Sequence, residues 1–247
     1  MTAPLFLVDE GALDGIGAGA TYVLDGAEGR HAATVRRIGV GERVDLADGG
    51  GAVARCTVTA AEPARLVLRV DERDVEPEPE PRFVLVQALA KGDRDDLAVE
   101  GATELGVDEV VPWQAQRSVV IWRGERGEKA RRRWQGTVRA AAKQARRARV
   151  PQVGALAHAD DLVRRVQQAA LAVVLHEDAQ TPLAGVELPA AGEVLLVVGP
   201  EGGVSPQELA RLEEAGAVAC RLGPHVLRSS TAGPAALAVL SAAARWG

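Results

Sequence analysis

The strongest constraint on this chain is one segment near its end, EVLLVVGPEGGVSPQELARL, residues 193–212. Val194–Val198 is a continuous apolar run, the pattern of a strand covered on both faces in a parallel sheet. It leads directly into Gly199-Pro200-Glu201-Gly202-Gly203. Ser205 then stands as a natural N-cap, Pro206 as a first helical residue and Glu208 as the partner of a capping box, which predicts a helix over Pro206–Ala215. Open α/β sheets bind ligands at the carboxyl ends of their strands, where this loop lies. Its glycines let the backbone come close to a bound group. A tight connection with no ligand is the plain alternative, and three glycines and a proline directly after the strand weigh against it. The loop lacks the G-x-G-x-x-G fingerprint of dinucleotide sites and the G-K-[ST] of a P-loop, so a nicotinamide oxidoreductase and an ATPase both recede. The residues themselves indicate a nucleotide-like ligand of unspecified identity.

Around this segment, residues 83–247 alternate strand and helix. Strands are predicted at Phe83–Ala88, Glu109–Pro112, Leu171–His176, Val194–Val198 and Ala219–Leu222. Helices are predicted at Asp95–Leu105, Glu128–Arg147, Asp160–Gln168, Pro206–Ala215 and Ala232–Trp246. Alternation of this kind means a mainly parallel sheet with helices on both faces. Residues 1–70 have a different texture: TYVLDG, RVDLADG, AVARCTVTA and ARLVLRV are short alternating runs of a small β-barrel or sandwich, with one helical piece, EGRHAATVRRIGVG. Between the two regions, Asp71–Arg82 begins DERDVEPEPEP. Alternating Glu-Pro reads as a stiff extended linker.

The net charge of −5 is uninformative until it is resolved along the chain. Arg117–Arg149 holds 12 basic and 2 acidic residues, leaving 17 basic and 32 acidic elsewhere. Arginine bias explains Arg over Lys but not the clustering, so the block is a candidate phosphate footprint. On the helix Glu128–Arg147, Trp134, Val138, Ala141 and Ala145 form an apolar stripe, with Arg132, Arg139, Lys143 and Arg146 opposite. A solvated face is the bland reading; a face of one sign favours an anionic partner. The cysteines, Cys56 and Cys220, lie far apart with no metal-ligand neighbours, so no metal site is expected and a reducing cytoplasm is. MTAPLFLVDEG lacks the features of a signal peptide, and no segment is long and apolar enough to span a bilayer.

A second loop, CRLGPHVLRSSTAGPAALAVL, ends strand Ala219–Leu222 at Gly223-Pro224 and opens a long terminal helix that Ser230 or Thr231 can cap. A third strand end, AVVLHED, brings His176, Glu177 and Asp178 to the same edge. GPEGG after an apolar strand, followed by LGPHVLRSSTA before a terminal helix, resembles the SPOUT methyltransferases. Within them the chain resembles the RsmE type, which modifies N3 of a uridine in 16S rRNA of the small ribosomal subunit. ALAKGDRDD, ATELGVDEVVP, Gln116-Arg117-Ser118, RWQGTVRAAAKQARRARVP and, less specifically, His31–Arg37 extend the resemblance over the whole chain.

The resemblance implies a knotted α/β domain (a SPOUT trefoil knot) over residues 83–247, preceded by a PUA-like β-barrel. It implies a homodimer acting on 16S rRNA, with S-adenosylmethionine wrapped by three loops. The cofactor-binding residues would be Leu175, His176, Glu177, Val198, Gly199, Glu201, Gly202, Leu222, Gly223, Val226, Leu227, Thr231 and Ala232. Arg228, beside the last loop, is the candidate to stabilise the uracil anion, against a structural role in that loop. Arg36, Arg37, Lys91, Arg117, Arg139, Lys143 and Arg146 are candidates for phosphate contacts, which position RNA without reading sequence. Leu237, Leu240 and Ala244 are expected near a dimer contact. Two places depart from the family pattern: Ser230 stands where Arg-x-Glu-Thr has its carboxylate, and Ala3-Pro4-Leu5-Phe6 replaces an arginine-rich start. A non-catalytic RNA-binding factor is the alternative class.

Overall fold

The computed structural model describes residues 3–246. They form two compact units: the described residues up to Glu78 together with Ala142–Val150, and Pro79–Ala141 together with Pro151 onward.

The first unit is built on β1 (Leu5–Leu7), β2 (Thr21–Leu24), β3 (Arg43–Ala47), β4 (Ala52–Glu62) and β5 (Arg65–Val75), in the order β1-β3-β4-β5-β2. The β1–β3 pair is parallel and the others antiparallel. This ladder has two ends rather than closing on itself. Alternate residues of β4 and β5, among them Ala54, Cys56, Val58, Leu66, Leu68 and Val70, turn inward onto Phe6, Leu13, Leu24 and Leu46. The helical piece is a short helix α1 (Gly26–Arg30) running into a π-helical turn, His31–Val35, which leaves Arg36 and Arg37 exposed at its end.

Two boundaries differ from the sequence expectation. The segment read as a linker from Asp71 belongs to β5 as far as Val75, because its carboxylates are matched across the sheet. Arg55 on β4 donates to Glu72 (2.7 Å) and Asp74 (2.6 Å) on β5. Only from Glu76 do the prolines prevail. Ala142–Val150, assigned to the second domain by position, is part of the first unit. Lys143 there pairs with Glu28 at 2.6 Å and lies 5.2 Å from the centre of the Phe6 ring. The Arg149 guanidinium donates to the carbonyls of Glu76 and Pro77.

The second unit is a seven-stranded, all-parallel sheet. Its strands are β6 (Arg82–Ala88), β7 (Glu109–Trp113), β8 (Gln152–Val153), β9 (Leu171–Leu175), β10 (Thr181–Pro182), β11 (Glu193–Val198) and β12 (Val218–Arg221). The order is β10-β12-β9-β11-β6-β7-β8. β6 and β11 are apolar along their length because both faces are covered. On one face Val84, Val86, Leu195 and Val197 pack against Leu162 and Val166 of α4 (Ala159–Gln168) and Leu212 of α5 (Pro206–Glu214). On the other lies α6 (Ser229–Ala244), close enough that a β-carbon on Gly233 would sit 3.1 Å from Leu85. A β-carbon on Gly101 of α2 (Arg94–Glu104) would likewise sit 3.1 Å from Pro234 of α6. Leu237 and Leu240 are buried here, so the apolar side of the terminal helix serves this core and not a dimer contact; Ala244 is exposed.

The basic helix, α3, runs Gly124–Gln144, ending three residues before the expected Arg147. Arg146 takes φ 57°, and the amide of Arg147 donates to the carbonyl of Ala142. That bond closes a Schellman-type end, with arginine where glycine is usual. Ala145 is consequently exposed, and Arg146 leaves the helical face it was assigned to. Trp134 and Val138 are buried as expected.

Arg82, Glu109 and Glu193, at the starts of β6, β7 and β11, join Arg165 of α4 in a four-charge network with contacts of 2.7–3.1 Å. Burial would raise the Glu109 carboxyl, but Arg165 and Arg82 outweigh it and hold the group below its ordinary range. The network occupies the amino ends of the strands and leaves the carboxyl ends to the site.

Candidate cofactor site at the strand ends

The carboxyl ends of β9, β11 and β12 surround a cavity of about 630 Å³. That is within the roughly 300–1,000 Å³ of small-molecule sites. Its walls include Leu175–Asp178 after β9, Val198–Val204 after β11, and Leu222, Gly223 and His225–Ser229 after β12. Of the expected cofactor residues only Thr231 is absent: it is the third residue of α6 and exposed, while Ser229 and Ala232 line the cavity.

Each wall is fixed by local chemistry. The capping box forms as its spacing predicts: the Glu208 amide donates to Ser205 Oγ (3.2 Å), and Glu208 Oε2 accepts from the Ser205 amide and hydroxyl. Glu208 Oε1 also accepts from the Gln116 amide at 2.7 Å, tying the loop after β7 to α5. Glu201 shapes its loop: its carboxylate accepts from the Lys91 amide (3.0 Å) and Arg94 Nη1 (2.6 Å). Burial opposes its charge, yet its own amide, the Lys91 amide and Arg94 prevail and lower its pKa. His176 donates its amide to the Cys220 carbonyl (2.9 Å), and its Nδ1 accepts from the Asp178 amide (3.3 Å). When neutral, the ring therefore carries its proton on Nε2.

A β-carbon on Gly199 would meet Val204 Cγ2 at 2.9 Å, and one on Gly202 would meet Arg117 Cβ at 3.2 Å. Both glycines line the cavity, and at each a β-carbon would press on the protein's own packing. Only Gly203 has a left-handed backbone, at φ 71°.

The expected phosphate-binding residues are divided between the two units. Arg117 lines the cavity and donates Nη1 to the Gly202 carbonyl at 2.8 Å, so it holds the glycine loop. Lys91 is bound to the same loop through its amide, with its side chain exposed. Lys143 is committed to Glu28. Arg139 lies on α3 in the second unit, and Arg36, Arg37 and Arg146 lie in the first. Helix α3 is also less one-signed than its sequence, since Arg133, beside its basic face, pairs with Asp96 of α2 at 2.6 Å. Sequence reasoning missed Arg94, Val204, Pro206, Cys220, Arg221 and Ser229 as cavity residues. Alternation along β12 was the one available signal, and it applied to Cys220.

Arg228 is the N-cap residue of α6 in place of the expected Ser230 or Thr231, and it caps by backbone alone. Its carbonyl accepts from the amides of Thr231 and Ala232. Its guanidinium is exposed at the cavity and makes no hydrogen bond or ion pair among the described residues. The site thus offers backbone donors and acceptors from three loops and, among the described residues, two uncommitted arginines, Arg221 and Arg228. No trio of His, Cys, Asp or Glu is placed to hold a metal among the described residues.

The family model described as RNA methyltransferase domain matches residues 77–241, and the one described as RNA methyltransferase PUA domain matches residues 24–71. The chain is 48% identical over 251 residues to ribosomal RNA small subunit methyltransferase E of Mycobacterium bovis, covering 100% of this chain and 94% of that protein. It is 31% identical to the Bacillus subtilis protein of the same name, over 90% of each. The structure of ribosomal RNA small subunit methyltransferase E from Neisseria gonorrhoeae bound to S-adenosyl methionine superposes with a TM-score of 0.84 at 28% identity, covering 98% of each chain. With both domains matched, relatives aligned over nearly their whole length and the fold shared throughout, the chain belongs to the ribosomal RNA small subunit methyltransferase E family of RNA methyltransferases.

Proposed function

We propose that this protein transfers the methyl group of S-adenosylmethionine to N3 of a uridine in 16S rRNA, in the cavity at the carboxyl ends of β9, β11 and β12. The observation that carries the reading is the convergence of three strand-end loops on one cavity, with the uncommitted Arg228 at its edge. When bound, the cofactor supplies an electrophilic methyl group on a sulfonium. The backbone of Leu175–Asp178, Val198–Gly203 and Leu222–Leu227 would hold it. Uridine N3 is a poor nucleophile until its proton leaves, so the protein's task is to position the base and stabilise the anion. Arg228 does the second, through a uracil carbonyl oxygen. Incubating the protein with small-subunit RNA and methyl-labelled cofactor, then separating nucleosides, tests the reading: 3-methyluridine is expected, and another labelled nucleoside refutes it.

The same reading includes a cytoplasmic protein that works as a homodimer, with a trefoil knot in the second unit; the resemblance to SPOUT proteins supports all three. Among the described residues no helix is long and apolar enough to cross a membrane. Leu237 and Leu240 are already buried, so a dimer contact would draw on exposed apolar side chains such as Val119, Ile121, Val226 and Trp246. Sedimentation at micromolar concentration should give twice the 25.8 kDa chain mass, and a monomer there refutes the dimer. Arg36, Arg37, Lys91, Arg139 and Arg146, all exposed, remain the phosphate contacts of this reading. An inert RNA-binding factor fits less well, because the cavity is intact.

A further inference from the structure

The amino end of α6 opens on the cavity and carries polar groups that the account so far leaves unused. Ser229, its first residue, lines the cavity. Ser229 is 8% exposed, and its hydroxyl oxygen is buried with no partner among the described residues. A buried hydroxyl without a partner is unfavourable unless something completes its bonding. The first helical amides with acceptors are those of Thr231 and Ala232, both bonded to the Arg228 carbonyl. Those of Ser229 and Ser230 precede them and have no acceptor among the described residues. The helix is 16 residues long, has no acidic residue in its first turn and has no side-chain cap. No acidic residue or side-chain cap of the helix itself offsets its positive end. Helix ends of this kind bind anions through aligned amides, and here a hydroxyl with three staggered positions stands beside them.

We propose that the amino end of α6, with the Ser229 hydroxyl and the Ser229 and Ser230 amides as donors, is an anion subsite that takes a carboxylate or enolate oxygen of the reactants. Two sources carry that chemistry: the carboxylate of S-adenosylmethionine, and the uracil oxygen that gains charge as N3 loses its proton. The inference rests on the cavity being the cofactor site, which the wild-type titration below tests by itself.

The experiment compares wild type with Ser229→Ala, a small change that leaves the helix start in place. Calorimetric titration is done with S-adenosylmethionine and with its decarboxylated form, which keeps the sulfonium and the amine. Single-turnover methyl transfer is measured at saturating cofactor and RNA. A loss of about tenfold in affinity for S-adenosylmethionine, with the decarboxylated form unaffected, supports the subsite with the cofactor carboxylate as its ligand. Unchanged affinity for both, with the single-turnover rate down about tenfold, supports it with the uracil oxygen as ligand. Equal weakening of both cofactors, or no change in any of the three measurements, overturns it. Failure of the wild type to bind either cofactor removes the cavity assignment itself.

Discussion

Asp95 should make the second unit less stable as pH rises. It lies on α2, 2% exposed, with its carboxylate 3.9 Å from Arg133. Burial is the largest influence on it and the charge of Asp96 the next; the Asp96 amide, Arg133 and the Ala90 amide oppose them. The net effect pushes its pKa from 3.8 up to about 6. A carboxyl raised in the folded state contributes stability that is full below its unfolded pKa and is lost as pH climbs through the folded one. From 3.8 to about 6 the full loss is about 3 kcal/mol, of which about 2 kcal/mol falls between pH 4.5 and pH 8.0. Asp95→Asn removes the titration, though it also alters one hydrogen bond, so the informative quantity is how its difference from wild type changes with pH. All four tryptophans, Trp113, Trp122, Trp134 and Trp246, lie in the unit that carries Asp95, so their fluorescence follows its unfolding in guanidinium. The stability of Asp95→Asn relative to wild type should improve by about 2 kcal/mol on going from pH 4.5 to pH 8.0. A change below about 0.5 kcal/mol would refute the buried, strained carboxylate.

Three further outcomes follow from named contacts. Arg228→Ala should lower kcat and kcat/KM together, with cofactor affinity little changed, while Ser230→Ala stays mild; the reverse pattern in steady-state kinetics would remove Arg228 from the chemistry. Arg117→Ala should weaken S-adenosylmethionine binding about two- to tenfold by releasing the Gly202 carbonyl, with the salt dependence of RNA binding unaltered; a shallower salt slope would return Arg117 to the phosphate contacts. Arg165→Met should cost about 3 kcal/mol in denaturant unfolding, since it strands Glu109 and Glu193 at the sheet's amino edge; a neutral result would show that Arg82 suffices.

What the sequence disclosed was local. Ser205, Pro206 and Glu208 signal their helix within four residues, and the apolar run of β11 signals burial on both faces without outside help. The glycine loops were legible as a site because strand, loop and helix follow one another directly. Long-range pairing was hidden. Lys143 looked like a free cation on a helix face, but its partner Glu28 is 115 residues away in sequence. The charged end of β5 looked like a linker because the matching Arg55 is on another strand. Arg117 has no pattern that distinguishes a phosphate contact from a clamp on the Gly202 carbonyl. The end of α3 was misplaced because Arg146, not a glycine, adopts the left-handed backbone.

The most direct test of the account is methyl transfer itself, compared between wild type and Gly199→Val. A valine at 199 drives its β-carbon to within 2.9 Å of Val204 and must displace the loop, while the capping box that holds α5 lies outside it. With labelled S-adenosylmethionine and small-subunit RNA, the wild type should place label in 3-methyluridine, and Gly199→Val should neither bind the cofactor nor transfer label while its tryptophan fluorescence stays native. Normal transfer by Gly199→Val would contradict the cavity at the strand ends as the seat of the reaction.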